Sequence, residues 1–155
     1  LVLCGICETI SDSKFQISEL LSSGKALEKF KQNIELQGGD MKVCDDPEIL
    51  LDKTLMRVEI KSNQTGFIEE VDALTIGESI VNIGGGRTKA EDAIDHAVGF
   101  ACEKKIGDEI EKHETLGILY CRNQTQADSV SEKLRDAYKI SNEKTRQTKL
   151  IKEII

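Results

Sequence analysis

At 155 residues with a formal net charge of −7, the chain is long enough for one domain, or one domain with part of another. It is too acidic to present the basic face that nucleic acid or an anionic membrane surface requires. Its 39% hydrophobic and 32% charged residues describe a globular chain, and no apolar run reaches the ~20 residues of a membrane span.

The chain begins Leu1-Val2-Leu3-Cys4-Gly5-Ile6-Cys7, with neither the basic flank nor the length of a signal peptide. It is expected to be part of a longer protein. Five cysteines without a secretory signal point to reduced thiols and a cytoplasmic location. Cys4 and Cys7 form a C-x-x-C. A zinc site needs a second pair, and Cys44, Cys102 and Cys121 are scattered. A redox pair needs a strand-to-helix setting. Two small apolar residues buried on one helix face is the simpler reading.

Residues 1–40 read as helical. Ser11 or Asp12 is placed to cap a helix with Ile17, Leu20 and Leu21 on one face. Ser22-Ser23-Gly24 breaks it. Leu27, Phe30 and Ile34 form a second helical stripe, stopped by Gly38-Gly39. Asp46-Pro47 predicts a short helical turn over 47–51, with the carboxylate as cap.

Beyond a boundary at 44–53 the pattern changes. Met56-Arg57-Val58-Glu59-Ile60-Lys61 alternates apolar and charged residues, as a half-buried strand does. A second strand is expected over 67–71. Asp72 caps the next helix, with Leu74, Ile76, Ile80 and Val81 inward and Gly84 at its end. A strand over 97–102, a turn over 105–108 and strands at Ile110 and 116–120 follow. Thr125-Gln126-Ala127-Asp128 resembles a capping box for a helix carrying Val130, Leu134 and Tyr138. The tail, 145–155, is read as an edge strand. Asn63-Gln64-Thr65 and Asn123-Gln124-Thr125 are read as turn residues.

Gly84-Gly85-Gly86-Arg87 is neither a dinucleotide fingerprint nor a phosphate loop. It follows a helix, so no helix N-terminus is aimed at it, and a tight turn is the simpler reading. Arg87 and Lys89 leave an anion contact open. Asp92, Asp95 and His96 are close enough in sequence to suggest a metal, but a charged loop with one helical turn accounts for them. No Ser, Cys or carboxylate pair is spaced for nucleophilic or acid–base work.

Ser23-Gly24-Lys25-Ala26-Leu27-Glu28-Lys29-Phe30, followed by Gln37-Gly38-Gly39-Asp40, resembles a segment of the pyrimidine-nucleoside phosphorylases, the thymidine phosphorylase family. The likeness continues in order through Val71-Asp72-Ala73-Leu74-Thr75-Ile76-Gly77, the Gly84 loop, Glu91-Asp92-Ala93-Ile94-Asp95, Ala97-Val98-Gly99 and Lys104-Lys105-Ile106-Gly107-Asp108. It goes on through Tyr120-Cys121-Arg122-Asn123 and the Ala137-Tyr138-Lys139-Ile140 helix end, and Leu150-Ile151-Lys152-Glu153-Ile154-Ile155 resembles the family's C-terminus. Two departures stand out. Gly85 replaces the family's usual Ala, a change expected to be mild. His113 replaces a usual Gly and would strain a turn that needs positive φ.

The resemblance implies a homodimeric cytoplasmic enzyme that reversibly splits pyrimidine nucleosides, with phosphate as co-substrate and no cofactor. No nucleic-acid or membrane partner is expected. The family's phosphate and pyrimidine motifs lie in the first half of its chain. None is present here, so no catalytic or substrate-binding residue and no metal ligand is carried over, and the chain alone is expected to be inactive. Residues 1–52 would be a helical segment of the central α/β domain. Residues 53–155 would be the C-terminal domain, for an α+β fold with a compact, mostly antiparallel sheet. Gly84, Gly85, Gly86, Arg87 and Lys89 resemble a loop that moves as the domains close, so residues 84–95 are expected to gate the cleft. The helical stretch 1–40 is expected to be covered by dimerisation or exchange with a neighbouring chain.

Two other readings remain. Lys105-Ile106-Gly107-Asp108-Glu109-Ile110 with Gly66-Phe67-Ile68 resembles a biotinyl or lipoyl carrier, for which Met41-Lys42-Val43 is the only look-alike of a modifiable lysine. A related phosphorylase acting on nucleotides is the other.

Overall fold

A computed structural model describes residues 1–144. The chain divides into two units, Leu1–Leu51 and Asp52–Ile155. The edge strand expected over 145–155 lies outside the described residues.

In the first unit, α1 (Ile10–Ser22) is capped by Thr9, not by Ser11 or Asp12. Thr9 keeps an extended backbone, and its hydroxyl accepts from the Asp12 N–H at 3.1 Å while donating to the Asp12 carboxylate at 2.6 Å. Ser11 and Asp12 already lie inside the first turn. Helix α2 (Lys25–Leu36) follows, then short 3-10 turns at Met41–Cys44 and Pro47–Leu50. Asp46 caps the second turn, as its place before proline predicts. Cys4, in a turn, and Cys7, in irregular chain, lie ahead of α1 and not on a helix face. Cys4 is exposed, and the Cys7 thiol donates to Gln16 Oε1 at 3.1 Å. Phe15, Leu21, Phe30 and Leu36 are exposed, and the buried apolar side chains among the described residues run only from Ile60 to Tyr138.

The second unit holds β1 (Met56–Lys61), β2 (Gly66–Val71), α3 (Ala73–Ile80), β3 (Gly99–Cys102), β4 (Glu109–Ile110), β5 (Thr115–Cys121), α4 (Gln124–Asp136) and β6 (Tyr138–Ser141). It is α+β as expected, but among the described residues its strands form two three-stranded antiparallel sheets rather than one: β1-β5-β3 and β4-β2-β6. Alternation fixes the register of β1. Ile60 is buried opposite Gly117, while Arg57, Glu59 and Lys61 face water.

The apolar core falls into two clusters, one on each sheet, with Leu116 of β5 contributing to the second. Ile60, Ile83, Val98, Leu119 and Cys121 pack with Ala127, Val130 and Leu134 of α4. Ile68, Ile110, Leu116, Ala137 and Tyr138 form the other cluster. Ile76 and Phe100 pack against both.

Three expectations shift. Leu74 is 71% exposed, because α3 turns Ile76, Ser79 and Ile80 inward instead. Helix α4 is capped by Asn123, not Thr125. Asn123 Oδ1 accepts from the Gln126 N–H at 2.9 Å, and Gln126 Oε1 accepts from the Arg122 N–H at 2.7 Å. Tyr138 is not on that helix. It opens β6, which pairs with β2 through Val71↔Tyr138 and Ile68↔Ile140.

The two departures from the family pattern also resolve. His113 is the only non-glycine residue with positive φ among the described residues, at +71°. Gly85 is a tighter position than expected. A Cβ there would meet Ile80 Cγ2 at 2.4 Å and Val98 Cγ2 at 3.2 Å.

Candidate functional site

The glycine loop is built from the end of α3. Asp72 caps that helix, accepting from the N–H groups of Leu74 and Thr75 and from the Thr75 hydroxyl at 2.7 Å. The helix widens into a π-type turn over Val81–Gly85, within which Gly84 takes φ +99°. Space is not what calls for glycine there, since an added Cβ would find only the Asp95 Cβ, at 3.9 Å. The left-handed backbone is the reason. Past Gly86 the chain swings outward and returns when the Asp95 N–H donates to the Gly84 carbonyl at 2.8 Å.

Inside this loop, Asp92 is a local organiser. One oxygen, Oδ2, accepts from the Thr88 N–H at 3.0 Å, the Thr88 hydroxyl at 2.7 Å and the Lys89 N–H at 2.8 Å. Those donors, the Thr88 hydroxyl first, hold its carboxyl below the usual carboxylate range. A turn closed by the Asp92 N–H on the Lys89 carbonyl stands where a helical turn was expected.

Asp95, at the far foot, belongs to a different network. Arg122 grips it with both prongs, Nε to Oδ2 at 2.6 Å and Nη2 to Oδ1 at 2.8 Å. The third nitrogen, Nη1, reaches Asp52 Oδ2 at 2.5 Å and the Thr54 hydroxyl at 3.1 Å. Arg122 and the Ala97 N–H lower the Asp95 pKa. Asp52 is held at about 2, first by the Thr54 hydroxyl, then by the Thr54 N–H and Arg122. The two carboxylates push the guanidinium pKa upward, with Asp95 the larger cause. At the near foot, Gln126 Nε2 donates to the Ile83 carbonyl at 2.9 Å.

Gly84, Gly85 and Gly86 therefore form one bend, and Arg87 and Lys89 lie exposed on the segment it projects. Thr88 also borders a shallow groove with Ala73, Leu74, Gly77 and Val81. Asp92 and Asp95 turn to different partners, and His96 is exposed. The arrangement offers paired cations on an outward loop with fixed feet. It places no nucleophile beside a base. Sequence reasoning missed Arg122, Asp52 and Gln126. Their partners lie 27, 70 and 43 residues away, beyond the range of any local spacing rule.

Residues 67–141 match the family described as the pyrimidine nucleoside phosphorylase C-terminal domain. The pyrimidine-nucleoside phosphorylase of Bacillus subtilis (strain 168) is 36% identical over 154 residues, which is 99% of this chain and 35% of the relative. The enzymes of that name from Staphylococcus haemolyticus (strain JCSC1435) and Staphylococcus aureus (strain MSSA476) are 36% and 37% identical over the same shares. The chain thus spans 35% of the length of these relatives and corresponds to their C-terminal part.

These matches favour the phosphorylase reading over the carrier module. The carrier-like pairing does exist, since Gly66 and Phe67 stand opposite Ile110 and Glu109. Lys42, however, sits in a 3-10 turn of the other unit, outside both sheets. Among the described residues, no helix is long and apolar enough to cross a membrane.

Proposed function

We propose that this chain is the C-terminal part of a cytoplasmic, homodimeric pyrimidine-nucleoside phosphorylase acting on uridine, thymidine or both. A phosphate oxygen forms the new bond to the anomeric carbon. The bond to the pyrimidine nitrogen breaks with its electron pair leaving on the base, which takes up a proton, and the products are free base and (deoxy)ribose 1-phosphate. The observation that carries the reading is the match along 99% of the chain to enzymes of that name.

The residues present contribute architecture and closure rather than bond-breaking. Residues 84–95 help close the cleft and exclude water. Support comes from the geometry: both feet are tied down, and the tip carries exposed Arg87 and Lys89. The helical unit belongs to the central α/β domain. Its exposed Phe15, Leu21 and Phe30 are covered in the assembled enzyme by dimerisation or exchange between chains.

The test is phosphorolysis of uridine and thymidine with inorganic phosphate, by this chain and by the complete gene product that carries it. Activity in the latter and silence in the former is the expected result. Base release by this chain alone would overturn its expected inactivity, place an active site within it and return attention to Arg87, Lys89, Asp95 and His96. Activity of the complete product on nucleoside monophosphates alone would support the nucleotide reading. For the loop, Arg87→Ala in the complete product is expected to change kcat or KM. No change in either removes the closure role.

A further inference from the structure

The junction from the end of β5 into the first turn of α4 touches both feet of the glycine loop. Gln126 holds Ile83, the residue before the bend, and Arg122 holds Asp95, where the loop returns. The same guanidinium also holds Asp52 and Thr54. Asp52 is the first residue of its unit, directly after the sequence junction at Leu51. One side chain therefore ties the returning foot of the loop to the segment that follows the junction.

We infer that Arg122 is a positioning residue, one that sets the attitude of the 84–95 loop and couples it to the junction segment 52–54. Arginine suits the task for a geometric reason. Its planar fork binds one carboxylate with two parallel bonds and still has a nitrogen directed elsewhere. A lysine ammonium is a point charge and cannot fix the orientation of Asp95 while also holding Asp52. Asp52 and Asp95 are both carboxylates, so without the cation between them they repel. Loss of Arg122 should thus do more than free the loop, because it sets two like charges against each other at its foot.

The inference rests on the loop-closure reading only for its catalytic consequence. The experiment separates the two by using two readouts on the complete gene product. The first is limited trypsin digestion, followed by mass spectrometry at the bonds after Arg87 and Lys89, with the bonds after Lys133 and Arg135 of α4 as an internal reference. Arg122→Gln and Arg122→Lys are both expected to speed cleavage at the loop bonds at least tenfold over the reference bonds. Asp95→Asn and Asp52→Asn should each speed it too, and the double variant should add little beyond the larger single effect, as in a coupled pair. The second readout is the kinetics of phosphorolysis, where Arg122→Gln is expected to lower kcat/KM at least fivefold.

Unchanged loop cleavage in Arg122→Gln overturns the inference, as does a parallel rise at every bond, which would signal general destabilisation. Full protection in Arg122→Lys overturns the geometric part of it. Faster loop cleavage with unchanged kinetics supports the positioning role and rejects loop closure as a catalytic step.

Discussion

The His113 N–H donates to the Ser62 carbonyl at 2.8 Å, and it does so from a left-handed backbone, at φ +71°. Left-handed backbone costs an ordinary L-residue roughly 1–2 kcal/mol, while glycine's extra freedom in the unfolded chain costs about 0.5–1 kcal/mol. His113→Gly should therefore stabilise the protein by about 0.5–1 kcal/mol. His113→Val should destabilise it, because a β-branched residue tolerates positive φ poorly. Urea unfolding midpoints test both, and a His113→Gly variant that is less stable than the parent would refute the strain.

Gly85 is held by packing. A Cβ would fall 2.4 Å from Ile80 Cγ2, 3.1 Å from the Ile80 carbonyl and 3.2 Å from Val98 Cγ2. The branched methyl of Ile80 is stiff about χ1 and cannot swing clear. Gly85→Ala is expected to cost about 1–3 kcal/mol, as overpacking does. Ile80→Leu removes that methyl, so the penalty for Gly85→Ala should shrink in an Ile80→Leu background. A strictly additive cycle would place the strain elsewhere.

Asp52 should titrate near 2, well below the ordinary aspartate value of about 3.9. A depressed folded-state pKa adds stability that is complete above about pH 4 and is lost as pH falls toward about 2. Because the Thr54 hydroxyl is the largest cause, Thr54→Val should raise the Asp52 midpoint more than Arg122→Gln does. Carbon-detected carboxyl titration by NMR reads this directly. The reverse order would make the guanidinium the main support.

Gly117 sits in the central strand of its sheet, where a Cβ would lie 2.3 Å from Phe100 Cζ and 2.5 Å from the Ala101 carbonyl oxygen. The ring can rotate away, but the backbone oxygen cannot. Gly117→Ala should thus cost at least as much as Gly85→Ala, about 1–3 kcal/mol or more. It should also disturb the edge-to-face contact of Phe100 with Tyr138, whose centroids are 6.5 Å apart. Thermal unfolding measures the first effect, and near-ultraviolet circular dichroism of the tyrosine the second.

Local chemistry explains what could be read from the sequence. The alternation at 56–61 is β1 to the residue, Asp72 caps α3, and Asp46-Pro47 opens a short helical turn. Each depends on neighbours a few positions apart. Tyr138 continues the spacing of Val130 and Leu134, which predicts a helical position, whereas pairing with Val71, far away in sequence, draws it into a strand. Leu74 shares the helical stripe of Ile76 and Ile80 yet faces water, because periodicity gives a stripe but not which edge of the stripe faces the core. Of the candidate loop, the glycines and cations were legible and the anchors were not. Nothing in the run from Tyr120 to Asn123 signals that its arginine will meet Asp52 and Asp95.

Ile76 and Phe100 pack against the clusters of both sheets. Neither sheet can be peeled away without stripping contacts from residues the other needs, so the unit has no seam along which half of it could survive alone. It should melt in a single cooperative step, and the slowest-exchanging amides should be found in both sheets, with matching opening energies.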